Sequence, residues 1–368
     1  MPQAAAYVTG TVLRNSAAHA RQIEAMCRAF SERLNGQFLL IRPQEGDPLS
    51  PLIPVHHVRS ARGPRPWRQA LAAAATARLL ARQGDPLVFV REFPVAALLW
   101  ASGYRVVLEL HQMPGPAIQG MLRFLSARGR FAVLSISAAL EKDLRAACPA
   151  ARDLRSYHDG AFAEDYKELS REEYAAIRRE LGLGDGVLLA AYTGSIYKGR
   201  DAQSIRRLAA AFPHVQFLLA GGQGALLEAL RDFYAGFPNV KCLGQRDAAE
   251  VRRLQSVSDI LLYPLTRSNP LWRHTSPLKL FEYMAAGRTI VASNIGSAGE
   301  IADDSNAYVF DGDDEEAMIA AFTRALAASD EEREEKQQRC KALIRERYDW
   351  RRRADFILSC WPPGGGAA

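Results

Sequence analysis

Cysteine is scarce in this sequence. There are five in 368 residues, Cys27, Cys148, Cys242, Cys340 and Cys360. No two stand at a C-x-x-C or related spacing, which excludes the common zinc and dithiol motifs. Scattered single cysteines read as small buried hydrophobes in a reducing compartment. The N-terminus, MPQAAAYVTG, lacks a basic region followed by an apolar core and a cleavage site, so no secretory signal is expected. No apolar run is long enough to span a bilayer. The most apolar stretch, Phe93 to Leu110, is interrupted by Gly103, Arg105 and Glu109 and reads as a buried helix followed by a buried strand. No D-x-D-type acidic pair ends a central strand; Asp303–Asp304 and Asp313–Asp314 fall near helix ends, as caps or surface charge. Neither a metal nor a cofactor is expected. The Walker phosphate-loop order is missing, there is no short internal repeat, and positive charge is not gathered into a stripe or a known nucleic-acid module.

What is present is an ordinary globular composition, 48% hydrophobic and 24% charged, in a chain long enough for two domains. The net charge of +6 is unevenly spread: Met1–Asp165 holds 20 Lys+Arg against 13 Asp+Glu, and the remainder 27 against 28. The first half therefore favours an anionic partner. Strand-length apolar runs alternate with helical patterns throughout. In the first half the strands are expected at Ala5–Thr9, Phe38–Arg42, Val55–Val58, Leu87–Arg91, Val106–Leu110 and Phe131–Ile136. Helices are expected at Ala17–Leu34 and Trp67–Arg82, the former with Ile23, Met26, Phe30 and Leu34 on one face. In the second half the runs are Val187–Thr193, Val215–Ala220, Val240–Leu243, Ile260–Pro264, Thr289–Ser293 and Tyr308–Phe310. Asp201 or Ser204, Ser276 and Asp313–Asp314 are placed to start helices. This alternation implies α/β architecture, two six-stranded parallel Rossmann-like units with covered faces. The join is expected near His158–Ser170. Asp330–Arg353 reads as a solvated charged helix, and the Pro/Gly-rich tail Pro362–Ala368 as disordered.

Two segments carry chemistry. In HTSPLKLFEYMAAGRTIVAS, from His274, Ser276 can cap a helix whose first residue is Pro277 and which stops at Gly287. A helix N-terminus at the mouth of a parallel sheet offers unpaired N–H groups to an anion. Lys279 in the first turn adds a positive charge, and Glu282 a carboxylate able to accept both hydroxyls of a ribose. Alternatively, Ser276–Pro277 is only a good helix start and Lys279–Glu282 a surface pair. The second segment, AYTGSIYKGRD at Ala191–Asp201, is a strand–loop–helix with Ser195, Lys198 and Arg200 around small residues, suited to a diphosphate.

SPLKLFEYMAAG followed by TIVAS, with the YTGSIYKG turn, resembles the retaining glycosyltransferases of family 4 (glycosyl transferases group 1). LLAGG at Leu218, NVKCLGQ at Asn239, SDILLYPL at Ser258, LELHQMP at Leu108 and SISAALEKDL at Ser135 agree in order. The resemblance spans Tyr7 to about Leu358, strongest in the second half. It implies the GT-B fold, two Rossmann-like domains facing across a central cleft with a C-terminal helix crossing back to the first. The implied division is 1–163 for the acceptor, 164–345 for the donor, and 346–368 for the helix and tail. Carried over by position, Lys198 is the cation of the diphosphate turn and Glu282 the ribose acid. Ser276, Pro277 and Leu278 wrap the phosphates and sugar, and Gln245–Arg246 meets the base. His111 reaches the transferred sugar, and Gly10–Thr11 closes over the diphosphate. Two positions depart from the family pattern. His274 stands where the first acid of E-x7-E belongs, and Ser195 or Ile196 where an arginine is usual, with Arg200 the available substitute.

The resemblance implies sugar transfer from a nucleotide-sugar donor to a glycan or lipid-linked acceptor, with retention and without a divalent ion. Arg59, Arg62, Arg65 and Arg68 around Trp67 read either as a loop resting on anionic lipid or as a solvated basic loop. The expected location is the cytoplasm, with peripheral attachment at the inner face of the plasma membrane. Two other readings stay open: a nucleotide-sugar epimerase or hydrolase of the same fold, and a non-catalytic binding subunit, which His274 in place of an acid keeps in play.

Overall fold

The computed structural model of the chain describes residues 4–10, 18–43, 53–58, 65–82, 84–184, 186–194, 196 and 201–361. It divides into two compact units, one of Met1–Asp159 with Trp350–Ala368, the other of Gly160–Asp349.

The first unit is a seven-stranded parallel sheet of β1 (Ala5–Val8), β2 (Phe38–Pro43), β3 (Val55–Val58), β4 (Leu87–Val90), β5 (Val106–Leu110), β6 (Phe131–Ser135) and β7 (Leu154–Ser156). The strand order is β3-β2-β1-β4-β5-β6-β7. Its helices are α1 (Ala18–Arg33), α2 (Arg65–Leu80), α3 (Phe93–Ala101), α4 (Pro116–Ala127) and α5 (Ala138–Ala147). The expectation of six strands is corrected by β7. Only three residues long, with Arg155 exposed between Leu154 and Ser156, it carries too little apolar pattern to register as a strand.

The second unit is the six-stranded sheet β8 (Leu188–Thr193), β9 (Val215–Ala220), β10 (Val240–Gly244), β11 (Ile260–Tyr263), β12 (Thr289–Ser293) and β13 (Tyr308–Phe310), ordered β10-β9-β8-β11-β12-β13. Its helices are α6 (Arg171–Glu180), α7 (Ile205–Ala211), α8 (Ala225–Phe233), α9 (Ala248–Val257), α10 (Leu278–Ala286), α11 (Glu315–Ala327) and α12 (Asp330–Leu343). Successive residues of one strand enter different cores. Leu189 and Ala191 pack with α10 residues such as Phe281. Ala190 and Tyr192 pack with Ile205, Leu208 and Phe322 from α7 and α11. The period of two thus buries both faces of the sheet, which is why its strands read as continuous apolar runs. In both units the strand order reverses beside the first strand, between β1 and β4 and between β8 and β11, the place where open α/β sheets bind ligands.

A π-turn at Ile344–Tyr348 ends α12, and α13 (Trp350–Ser359) then joins the first unit. This return is the crossing that the GT-B resemblance implied. The reading of Asp330–Arg353 as solvated needs correction at its end: Arg353 is 0% exposed. Trp350, Arg353, Ala354 and Ile357 are all buried, a stripe at helical spacing in which an arginine takes a core position. α1 supplies the neighbouring surface, with the fully buried Met26 sulfur 3.3 Å from Arg353 Nη1. Surface pairs Arg351–Glu32 and Arg33–Asp355 fasten α13 to α1.

The Arg353 guanidinium meets the carboxylate of Glu109, which stands in the apolar strand β5 and is 1% exposed. Nη2 donates to Glu109 Oε1 at 2.5 Å and Nε to the carbonyl of His158 at 3.0 Å, with Asp159 Oδ1 3.5 Å from Nε. Burial by itself would raise the Glu109 pKa, but Arg353, His111 and Arg91 outweigh it and hold the carboxyl well below its ordinary value of 4.5. Asp159 is pushed the other way, by burial and by the nearby Glu109 charge, against the pull of Arg353.

Removing one member of a buried pair strands the other charge. Arg353→Ala is expected to cost about 3–5 kcal/mol in chemical denaturation. Because Glu109 titrates lower folded than unfolded, its stabilising contribution is complete above the unfolded value and is lost as pH falls below it. The stability gap between wild type and Glu109→Gln should therefore narrow from about pH 7 to about pH 3; a gap that widens would contradict the ionised pair.

Candidate functional sites

In the second unit Gln245–Arg246 directly follow β10, and Lys279 and Glu282 of α10 are tied to the end of β8. Gly194 N–H donates to Ala220 at 2.9 Å, and Gly221 N–H to Gly244 at 2.8 Å, so β8, β9 and β10 are tied together at their C-terminal ends. Gly221 has φ +151°, and a Cβ on it would fall 1.9 Å from the Gly194 carbonyl oxygen. Only glycine permits this approach.

α10 begins one residue later than expected. Pro277 is its N-cap, at φ −80° and ψ 101°, with no side-chain cap. Ser276 is therefore not the cap but a buried residue before it, in the position that a following proline keeps out of the helical region. The far end is as expected, with Gly287 left-handed at φ 62°. Of the other proposed helix starts, Asp314 caps α11 by accepting from Ala317 N–H, whereas Ser204 stands at the N-cap of α7 without a side-chain capping bond to that helix.

Lys279, in the first turn of α10, reaches back to the end of β8. Its Nζ donates to the Tyr192 hydroxyl at 2.7 Å and lies 4.1 Å from the centre of that ring. A Cβ on Gly194 would come within 2.9 Å of Lys279 Cε, so the bare turn makes room for the lysine stem. Glu282 is half-buried and accepts from Gln255 Nε2 at 3.3 Å. Gln255 is fully buried; it also donates to Thr193 Oγ1 at 2.8 Å and accepts from the Tyr166 hydroxyl at 2.7 Å. The Tyr283 hydroxyl accepts from Thr193 N–H at 2.9 Å. Burial pushes its pKa up to about 12, against the pull of Lys279, so it remains a neutral phenol. A positive charge, a helix N-terminus and a carboxylate are thus held at one edge of this sheet by a network that begins at the last residues of β8.

Gln245 and Arg246 follow β10, both exposed. Arg246 pairs with Glu250 at 3.5 Å on α9. His274 is half-buried at a turn closed by its own N–H to Leu271. Ser195, Lys198 and Arg200 lie outside the described residues, as do Thr11, Arg59 and Arg62. A cavity of about 710 Å³ in this unit, lined by Arg206, Arg207, Phe233, Phe237 and neighbours, lies over α7 and includes none of the α10 residues. Among the described residues, no group of three or more His, Cys, Asp or Glu is placed to hold a metal ion.

In the first unit, His111 stands immediately after β5 and its ring is 28% exposed. Its Nε2 is 2.8 Å from Glu109 Oε2, and Arg91 Nε is 3.7 Å from the same oxygen. Gly10 is exposed beyond β1, with its N–H donated to Glu92 Oε1 at 3.0 Å. Arg65 and Arg68 belong to α2 rather than to a loop, with side chains outside the described set; Trp67 on that helix is 69% exposed and Leu71 53%. Sequence reasoning missed Tyr192, Gln255, Tyr283, Glu109 and Arg353. Two had a readable signal. Glu109 is a carboxylate inside the run VVLEL, and Arg353 falls on the Trp350–Ile357 stripe.

Gly221→Ala should destabilise the second unit by roughly 2–4 kcal/mol, from strained backbone plus overpacking. Thermal unfolding checks this, and a change below about 0.5 kcal/mol, typical of a neutral surface site, would contradict the packing of the strand ends.

Residues 191–328 match the family described as glycosyl transferases group 1. Over 194 residues the chain is 29% identical to TuaH of Bacillus subtilis (strain 168), named as a candidate teichuronic acid biosynthesis glycosyltransferase. The match covers 50% of this chain and 46% of TuaH, so it spans about half the length of that curated relative. Among solved structures, a glycosyltransferase from Rickettsia africae superposes with a TM-score of 0.79 at 11% identity, covering 97% of this chain and 98% of the other. HepE of Anabaena in complex with UDP superposes with a TM-score of 0.76 at 17% identity, covering 97% and 99%. At such identities the likeness speaks for the fold. The stretch 191–328 is thus similar to glycosyl transferases group 1, and the two parallel-sheet units have the GT-B fold.

Proposed function

We propose that the chain is a glycosyltransferase that takes a sugar from a nucleotide-sugar donor bound by its second unit. The observation that carries this reading is the grouping of the α10 N-terminus, Lys279 and Glu282 at the C-terminal edge of the second sheet, inside the stretch that matches the family. A diphosphate leaving group gains negative charge as its bond to the sugar breaks. Preorganised N–H groups and a lysine ammonium stabilise that charge more in the transition state than in the bound donor, which is what lowers the barrier. Lys198 and Arg200 join them in this proposal. Glu282 takes the ribose hydroxyls, Gln245–Arg246 the base, and His111 the transferred sugar. Charge stabilisation by these groups needs no divalent ion. Retention follows if the departing phosphate oxygen accepts the acceptor's proton on the face that it leaves.

UDP is the first nucleotide to try, because HepE was crystallised with it. Calorimetric titration with UDP, GDP and ADP in the presence of EDTA should show selective binding of one of them. Lys279→Ala should weaken that binding by about 10-fold or more, a loss of about 1.4 kcal/mol. No binding of any nucleotide by a folded protein would sink the donor-site assignment. A non-catalytic binding subunit, favoured by His274 in place of the family acid, predicts binding with no turnover on any acceptor.

For the acceptor, the exposed Trp67 and Leu71 on α2 and the basic first half support a lipid-linked glycan at an anionic membrane face. Co-sedimentation with vesicles rich in phosphatidylglycerol should exceed that with phosphatidylcholine alone, and Trp67→Ala should reduce it. Equal, low recovery on both would leave the acceptor soluble.

A further inference from the structure

The apolar strand β5 carries one charged residue, Glu109, and both of its carboxylate oxygens are engaged. Oε1 takes the Arg353 guanidinium from the C-terminal helix, and Oε2 faces His111 Nε2 at 2.8 Å. The groups behind Glu109 are themselves held. Arg91 Nη1 donates to Gln22 Oε1 at 2.9 Å, Gln22 Nε2 donates to Asp159 Oδ1 at 2.7 Å, and Asp159 lies 3.5 Å from Arg353 Nε. Side chains of Glu109 and Arg353 are 0% exposed, whereas the His111 ring is 28% exposed. The chain of polar contacts thus runs from a C-terminal arginine, through a buried carboxylate, to an imidazole with one edge open.

A carboxylate can only accept hydrogen bonds. An imidazole nitrogen 2.8 Å from it must therefore carry the proton, and in the neutral ring the other nitrogen is then bare. We propose that Glu109 and Arg353 are positioning residues that fix His111 as the Nε2–H tautomer, so that Nδ1 is presented as a hydrogen-bond acceptor for a hydroxyl of the transferred sugar. Arg353 occupies Oε1 and aims the other oxygen at the ring, so the helix that ends the fold also sets the polarity of a candidate site residue in the same unit. The proposal rests on the reading of His111 as a sugar-contacting residue only for the identity of the hydroxyl; the tautomer follows from the geometry alone.

The test is the side-chain nitrogen-15 spectrum of His111 in the full-length protein, over the pH range in which the ring is neutral, with His111→Gln to assign the signal. Wild type should show a pyrrole-type Nε2 and a pyridine-type Nδ1. Glu109→Gln is close to isosteric. If its amide oxygen stays with Arg353, its NH2 faces the ring and should invert the tautomer to Nδ1–H. Arg353→Met should give a mixture of tautomers, and Arg353→Lys should restore part of the Nε2–H population, with thermal unfolding run alongside to show that each variant is folded. In a transfer assay, Glu109→Gln should lower kcat by about 10- to 100-fold with little change in donor KM. A wild-type ring that is Nδ1–H or mixed, or a tautomer indifferent to Glu109→Gln, overturns the proposal. Full turnover by His111→Ala would instead overturn the sugar contact while leaving the tautomer assignment intact, which separates the two failures.

Discussion

A carboxylate in the middle of an apolar parallel strand must be given a partner, because an unpaired buried charge costs several kcal/mol. In the first unit that obligation falls on a residue 244 positions away in the sequence, Arg353. The pair explains why the terminal helix packs where it does. Trp350, Ala354 and Ile357 supply ordinary apolar burial, which many neighbouring surfaces would accept. The guanidinium is satisfied only where Glu109, the His158 carbonyl and Asp159 converge. The directional contact gives register to the non-directional one. Its exposed end, His111, is where this structural pair meets the proposed chemistry.

The second unit solves a different problem. In the proposed donor site, its strand ends must offer polar groups to a nucleotide and still hold their positions. Backbone contacts through Gly194 and Gly221 join β8, β9 and β10, while the Tyr283 hydroxyl and the Gln255 amide bind the end of β8 to α10 and α9. Lys279 and Glu282 are each anchored by a neighbour, Tyr192 and Gln255. A ligand binding there meets groups already oriented, so less of the binding free energy is consumed in ordering side chains.

How much of this was legible in the sequence follows from the type of interaction. Apolar runs and helical stripes are local, and they placed twelve of the thirteen strands; β7, with three residues and one of them exposed, lies below that signal. The strong periodicity of α1 and the glycine stop after α10 were readable for the same reason. The start of α10 was misjudged by one residue, because Ser and Pro are both good helix starts and only the backbone geometry at Pro277 separates them. The charged run ending at Arg353 misled more seriously. Charge predicts exposure on average, and nothing adjacent in sequence reveals that a glutamate in another element will neutralise it.

The sequence by itself determined the α/β class, the parallel sheets, the GT-B resemblance and the segment in which the candidate donor residues lie, since each depends on residues close together along the chain. Tertiary structure alone decided which of those residues touch: Lys279 against Tyr192, Glu282 against a buried glutamine, and Arg353 inside the first unit against Glu109. Such contacts depend on side-chain direction across separate elements, and hydrogen bonds weaken steeply as their angle departs from linear. A linear pattern can name candidates for these roles, but only folding brings them within bonding distance.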